Sequence, residues 1–145
     1  MAVIRLTQVI QRPIEEVFAT VADAGRFHEW NPTIRRARQI TDGEVGLGSK
    51  FEWDLRGFGT VVQEFGEFEK PARIRIVPHI RQLRGGHLFL FSRKASATRI
   101  DHELEMRPAG WFRLFAPMMG VMGRKNLRDT ARALQQYLEK PGIGR

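Results

Sequence analysis

The sequence predicts an α+β domain, a curved antiparallel sheet of seven strands with its helices gathered on one side. Three observations predict it. A β-branched run opens the chain and passes at once into a short amphipathic segment. Six further runs, each about six to ten residues and bounded by Gly or Pro, follow at hairpin spacing. One long amphipathic helix then closes the chain. The connections between strands are too short for the crossovers that a parallel sheet requires. A helix of that length lying on the sheet requires the sheet to curve around it.

Val3 to Ile10 is dense in Val3, Ile4, Leu6, Thr7, Val9 and Ile10, residue types that suit a pleated surface, and the strand stops at Pro13. That proline suits the first turn of a helix. Glu15 and Glu16 stand near the positive end of this helix, and Ile14, Val17, Phe18 and Val21 recur at three and four residues. A second short helix is expected over Ala24 to Glu29, presenting Phe27 and Trp30, before Asn31-Pro32 halts it. The remaining strands are placed near 33–41, 49–56, 59–69, 72–78, 86–93 and 97–106. Breaks fall at Gly43, Gly46, Gly48, Gly57, Lys70-Pro71, Pro78 and Gly85-Gly86.

Two strands alternate cleanly. In one, Phe51, Trp53 and Leu55 oppose Lys50, Glu52, Asp54 and Arg56, so one face is dry and the other wet. In the other, Thr98, Ile100, His102, Leu104 and Met106 form the inward set against Arg99, Asp101, Glu103 and Glu105, which sets a histidine on the buried face. The closing helix spans Pro117 to Leu138, 22 residues and about 33 Å. One arc carries Met119, Gly120, Gly123, Leu127, Ala131, Leu134 and Leu138, opposite Lys125, Arg128, Asp129, Arg132 and Gln136. Met118, Val121 and Met122 fall on the outer face. Either an anionic membrane surface or a partner subunit, such as a second copy in a homodimer, covers them, or the helix phase slips near Pro117 and they are core. Gly120 and Gly123 each cost about 1 kcal/mol against alanine, so they serve close packing or leave room for a ligand.

Composition bounds the function. The 145 residues, 42% hydrophobic and 10% aromatic, supply enough apolar material for a core and exclude a disordered chain. There is no cysteine, which removes disulfides, thiolate metal sites and thiol nucleophiles. Arg5 and Arg12 interrupt the apolar start, so no secretion signal is read, and a reducing cytoplasm is the expected location. Leu114 to Gly123 is ten uncharged residues, against the ~20 that a membrane span needs. The net charge of +8 favours anionic partners, but its cations are scattered, as solvated faces or as a phosphate or headgroup surface. Charge alone does not indicate a specific nucleic-acid partner. Residues 1–140 read as one domain without internal repeat, and Pro141 to Arg145 as a frayed tail.

Several short motifs recur in a defined order. Arg12-Pro13-Ile14-Glu15-Glu16-Val17-Phe18 is followed by Asp23, by Trp30-Asn31-Pro32 and by Gly46-Leu47-Gly48 leading into a strand. Pro71-Ala72-Arg73-Ile74, Thr98-Arg99-Ile100 and Leu134 with Leu138-Glu139 complete the series. Over nearly the whole chain this resembles the START-like or SRPBCC superfamily, which includes the polyketide cyclase/dehydrase and lipid-transport group and the birch-pollen-allergen-like proteins. Ala95-Ser96-Ala97 departs from the pattern, which usually has a glycine turn before the threonine. The resemblance implies a helix-grip fold around an internal pocket for a small hydrophobic molecule such as a lipid or polyketide. It implies no one reaction, since members range from transfer proteins through cyclases to oxygenase subunits.

The candidate pocket wall is Trp30, Phe51, Trp53, Phe89, Phe91, Ile100, Leu104, Trp111, Phe115, Met119 and Met122, residues that would equally serve an ordinary core. His102 is the polar candidate inside. It could orient a ligand carbonyl, act as a general base with its reference pKa of about 6.5, or be a core histidine bonded to a neighbour. His28, His79 and His87 lie beside turns or strand starts and are expected at the surface. The histidines show no metal-ligand spacing, Gly46-Leu47-Gly48-Ser49-Lys50 completes neither nucleotide-binding motif, and no serine sits in a nucleophile elbow, so no metal or cofactor is expected. The leading expectation is a carrier of one small hydrophobic ligand. The alternative is a cyclase/dehydratase-type enzyme in which His102 transfers a proton.

Overall fold

In the computed structural model, residues 2–140 are described; Met1 and the tail expected to fray, Pro141 to Arg145, lie outside the described residues. The elements run β1 (Ala2–Ile10), α1 (Ile14–Ala22), a 3-10 turn (Ala24–Glu29), β2 (Ile34–Gln39), β3 (Lys50–Leu55), β4 (Gly59–Glu69), β5 (Arg73–Pro78), β6 (Leu83–Lys94), β7 (Ala97–Pro108), a second 3-10 turn (Gly110–Phe115) and α2 (Ala116–Glu139). The strands form one antiparallel sheet in the order β1-β7-β6-β5-β4-β3-β2. Successive strands from β2 to β7 are neighbours, as their short loops require, and β1 closes against β7.

The expected periodicities hold. Phe51 and Trp53 are buried and Leu55 half-buried on one face of β3, and Thr98, Ile100, His102 and Met106 are buried on one face of β7. Two departures are informative. Gly85-Gly86 does not interrupt the chain before β6 but lies inside it, paired with Met106 and Glu105. A Cβ at Gly85 would stand 2.1 Å from the Glu105 carbonyl oxygen, and one at Gly86 2.5 Å from that of Ile76. These glycines let neighbouring backbones approach, a role that a sequence reading mistakes for a turn. The Gly110–Phe115 turn has no counterpart in the sequence-based expectation.

The register defines rows of side chains across the inner face. One row is Leu6, His102, Phe89, Ile74 and Phe68; the next is Ile4, Leu104, His87, Ile76 and Phe65. Rings fill the end nearest α1. Phe18 meets Phe68 and Phe91 edge-on at 5.4 and 5.2 Å, Phe27 stacks on Trp53 at 4.8 Å, and Phe51 meets Phe65 at 4.8 Å. Each such ring, fully buried, contributes about 1.5–3 kcal/mol.

Three contacts fix the path of α2 over β1. Gly123 lies over Ile4 and Met106, where a Cβ would come within 2.4 Å of the Met106 methyl. The Gln8 amide donates to the Ala131 carbonyl at 2.9 Å, and the Arg12 guanidinium donates to that of Leu138 at 2.9 Å. From Gly123 onward α2 therefore follows β1 in the same direction, and its buried face is Gly123, Leu127, Thr130, Ala131, Leu134 and Leu138. Asn31 of the Trp-Asn-Pro segment reaches Thr130 at 3.4 Å, which ties the helix to the end of the first 3-10 turn. No helix among the described residues is long and apolar enough to cross a membrane.

Candidate functional site

The inner face is not uniformly closed. In the row Leu6–His102–Phe89–Ile74, His102, Phe89 and Ile74 are sealed. One step further from α1, Ile4, Leu104 and His87 are only half-buried. Above this step α2 changes character. Gly123 is in tight contact with the sheet, but a Cβ at Gly120, one turn earlier, would meet nothing within 4 Å. Close packing is the role found at Gly123, while a side chain at Gly120 would meet open space. Met119 beside it is half-buried.

A polar relay crosses this face. His102, 1% exposed, places Nε2 2.7 Å from Oε1 of Gln8 and Nδ1 2.9 Å from Nε2 of His87. Gln8 is pinned from the other side, since its Nε2 donates to the Ala131 carbonyl at 2.9 Å and to Oε1 of Gln135 at 3.3 Å. Burial lowers the His102 pKa to about 4 and holds that of His87 well below the ordinary histidine value, so both rings are neutral at physiological pH. The charge of Asp101 opposes the shift at His102, and the charge of His102 reinforces the shift at His87.

His87 is a correction to its expected surface position. Its ring stacks on Phe89 with centroids 4.0 Å apart and lies 5.1 Å from the ring of His102. Its side chain is half-buried, and burial holds its pKa below the ordinary histidine value. The signal was present in the sequence, because His87, Phe89 and Phe91 share the parity of one strand face. Gln8 and Gln63 follow the same rule, Gln8 between Leu6 and Ile10, Gln63 between Val61 and Phe65. Gln63 is 5% exposed and its amide has no hydrogen-bond partner among the described residues.

The residues expected to wall a pocket divide into groups. Trp30, Phe51, Trp53, Phe89, Phe91 and Ile100 are in the closed core, and the Trp53 indole donates to the Ala24 carbonyl at 2.9 Å. His102 is buried beside them, while Leu104 and Met119 stand at the half-open step. Trp111, Phe115 and Met122 are exposed, at 60%, 41% and 60%. With Leu114, Met118 and Val121 they form an apolar strip along the second 3-10 turn and the first turns of α2. The outward position read for Met118, Val121 and Met122 is the one found.

A separate recess of about 240 Å³ opens between α1, the first 3-10 turn and the end of α2. It is lined by Glu16, Asp23, Arg26, Glu29, Trp30 and Tyr137 among others, and Arg26 is ion-paired there with Asp23 and Glu29. Of the expected pocket wall it touches Trp30 alone, and its charged lining does not suit an apolar guest.

Against known families, the model described as polyketide cyclase / dehydrase and lipid transport matches residues 1–139. The chain belongs to this family. No curated protein matches it. Among solved structures, a START superfamily protein from Mycobacterium smegmatis is 16% identical, with a TM-score of 0.73 over 95% of this chain and 97% of the other. Protein XoxI from Bacillus cereus is 12% identical, with a TM-score of 0.76 over 97% of each chain. At these identities the likeness is one of fold. The fold is the START-like, helix-grip arrangement, a seven-stranded antiparallel open sheet with the long C-terminal helix α2. Membership is consistent with binding a hydrophobic ligand.

Proposed function

We propose that the protein carries one small apolar molecule between the sheet and the first turns of α2, at the end of the molecule remote from α1. The observation that supports this most is the contrast between the two glycines of α2. The helix touches Ile4 and Met106 at Gly123 and meets nothing at Gly120, over a half-buried row of Ile4, Leu104 and His87. Protein interiors ordinarily pack without such gaps, and burying a guest's apolar surface here would supply roughly 25 cal/mol per Å².

The strip from Trp111 to Met122 suggests where cargo enters. Between Arg107 and Arg128 the chain has five cations and no Asp or Glu. Arg107 and Lys125 pair with acids at the margins, while Arg113, Arg124 and Arg128 carry no ion pair among the described residues. Six exposed apolar side chains framed by unpaired arginines match an anionic lipid surface, to which each nearby cation adds about 1 kcal/mol.

Native mass spectrometry of the purified protein should show a bound apolar molecule that is released on unfolding. Flotation with vesicles of anionic lipid should carry the protein upward at low salt, and zwitterionic vesicles should not. Repeated absence of cargo across a broad apolar panel would remove the carrier reading. Failure to float, with a dimer burying the strip instead, would remove the membrane.

Proton transfer by His102, the enzymatic alternative, is poorly served by the relay. Both ring nitrogens of His102 are engaged, one by Gln8 and one by His87, so the free nitrogen of the pair belongs to His87.

A further inference from the structure

The relay across the inner face has a direction, and its direction selects the ligand. It starts at a backbone carbonyl. Ala131 O of α2 can only accept, so the group of Gln8 that faces it is the amide NH2 and the group that faces inward is the carbonyl Oε1. Oε1 can only accept in turn, so the His102 nitrogen 2.7 Å away, Nε2, carries the proton. A neutral imidazole has one N–H. Nδ1 of His102 is therefore a lone pair and accepts from Nε2–H of His87 at 2.9 Å. The same accounting leaves Nδ1 of His87 as a lone pair with no partner among the described residues. It is also not sealed, since no buried side-chain nitrogen or oxygen among the described residues lacks a hydrogen bond. A fixed acceptor thus ends the relay, at the half-open step, flanked in its row by the apolar side chains of Ile76 and Leu104.

We infer that the cargo presents a neutral hydroxyl, phenolic or alcoholic, to Nδ1 of His87, and that Gln8 is the positioning residue that sets this preference through the tautomers of His102 and His87. This rests on the apolar-carrier reading and specifies the chemistry of its cargo. A carbonyl or ether oxygen would bring lone pair against lone pair. A carboxylate or phenolate would add an unpaired charge to a site with no cation among the residues of the relay. A hydroxyl on an apolar body completes the series of donors and acceptors with nothing left over.

The test uses matched probes, 2-naphthol and 2-methoxynaphthalene, which share an apolar body and differ in the donor. Calorimetric titration of the full chain at pH 7 should show the naphthol bound about tenfold more tightly, the ratio one hydrogen bond supplies. His87→Phe should bring the ratio of the two affinities within about twofold. Gln8→Leu, which frees the tautomers without touching the probe, should also narrow the ratio. Histidine 15N spectra read the mechanism directly. In the wild type both rings should be neutral with the proton on Nε2, and naphthol should shift Nδ1 of His87. If both probes bind equally to the wild type, or if the preference survives in His87→Phe, the hydroxyl inference is overturned and the carrier reading stands. If neither probe nor any apolar analogue binds, the carrier reading itself falls. The wild-type spectrum and probe ratio need no variant to fold.

Discussion

Lowering the pH from 7.5 to 4.5 should destabilise this protein through its buried histidines before its carboxylates contribute. His102 has its pKa lowered by burial from 6.5 to about 4 in the folded state. Between those values the unfolded chain binds a proton that the native chain refuses, so stability is complete above about pH 6.5 and falls as the pH drops toward 4. At ~1.36 kcal/mol per unit, the loss is about 2 kcal/mol by pH 5 and on the order of 3 kcal/mol by pH 4. His87, shifted in the same direction, adds to it. Carboxylates held low, Glu67 by hydrogen bonds from Arg75 and Arg73 and Asp101 by those from Thr7 and Arg99, begin to contribute their own loss only as the pH falls through their ordinary values of 4.5 and 3.8, at the bottom of the histidine window. Against a domain stability of about 5–15 kcal/mol this is a large fraction. Urea midpoints taken every half unit of pH should fall steadily through the window, with a slope approaching one proton or more. A midpoint independent of pH from 6.5 to 4.5, or a His102 resonance titrating near 6.5, would refute the burial argument and with it the neutral relay.

Other expectations follow from single positions. Ala95 holds φ at +57° in the β6–β7 turn, a conformation costly for a residue with a Cβ, so Ala95→Gly should raise stability by roughly 0.5–1 kcal/mol in urea unfolding despite the flexibility of glycine. Gly123→Val should destabilise by about 2 kcal/mol or more, because its side chain would overlap Met106 and Ile4, whereas Gly120→Ala should gain up to about 1 kcal/mol of helix propensity. Both are read from thermal or urea midpoints. Phe89→Ala, in the sealed core and stacked on His87, should cost about 3–5 kcal/mol by the same measure. Paired Met118→Glu and Met122→Glu should leave the unfolding midpoint within about 0.5 kcal/mol, as surface positions do, while abolishing flotation with anionic vesicles.

Much of the architecture was legible because one face of the sheet is dry. Alternation in β3 and β7 fixed which side chains point inward, and the arc Gly123–Leu127–Ala131–Leu134–Leu138 fixed the face of α2. What was not legible depends on contacts distant in sequence. Gly85-Gly86 reads as a break until the carbonyls of Ile76 and Glu105 are seen against it. The Gly110–Phe115 turn has neither helical periodicity nor alternation to announce it. His102 was found by parity. Its partners are harder to read, since Gln8 is 94 residues away and His87 follows a glycine pair that reads as a turn. Applying parity to β6 as strictly as to β7 would have found His87. The tautomer relay required the Ala131 carbonyl, 123 residues from Gln8, and no local pattern carries that information.

The position of a bound guest tests the account most directly. Intermolecular NOEs from 2-naphthol to the full chain should reach the methyl groups of Leu104, Met119 and Ile4 and the ring of His87. NOEs confined to the charged recess around Arg26 and Tyr137, or to exposed Phe58 and Leu47 on the loops, would contradict a hollow between the sheet and the start of α2.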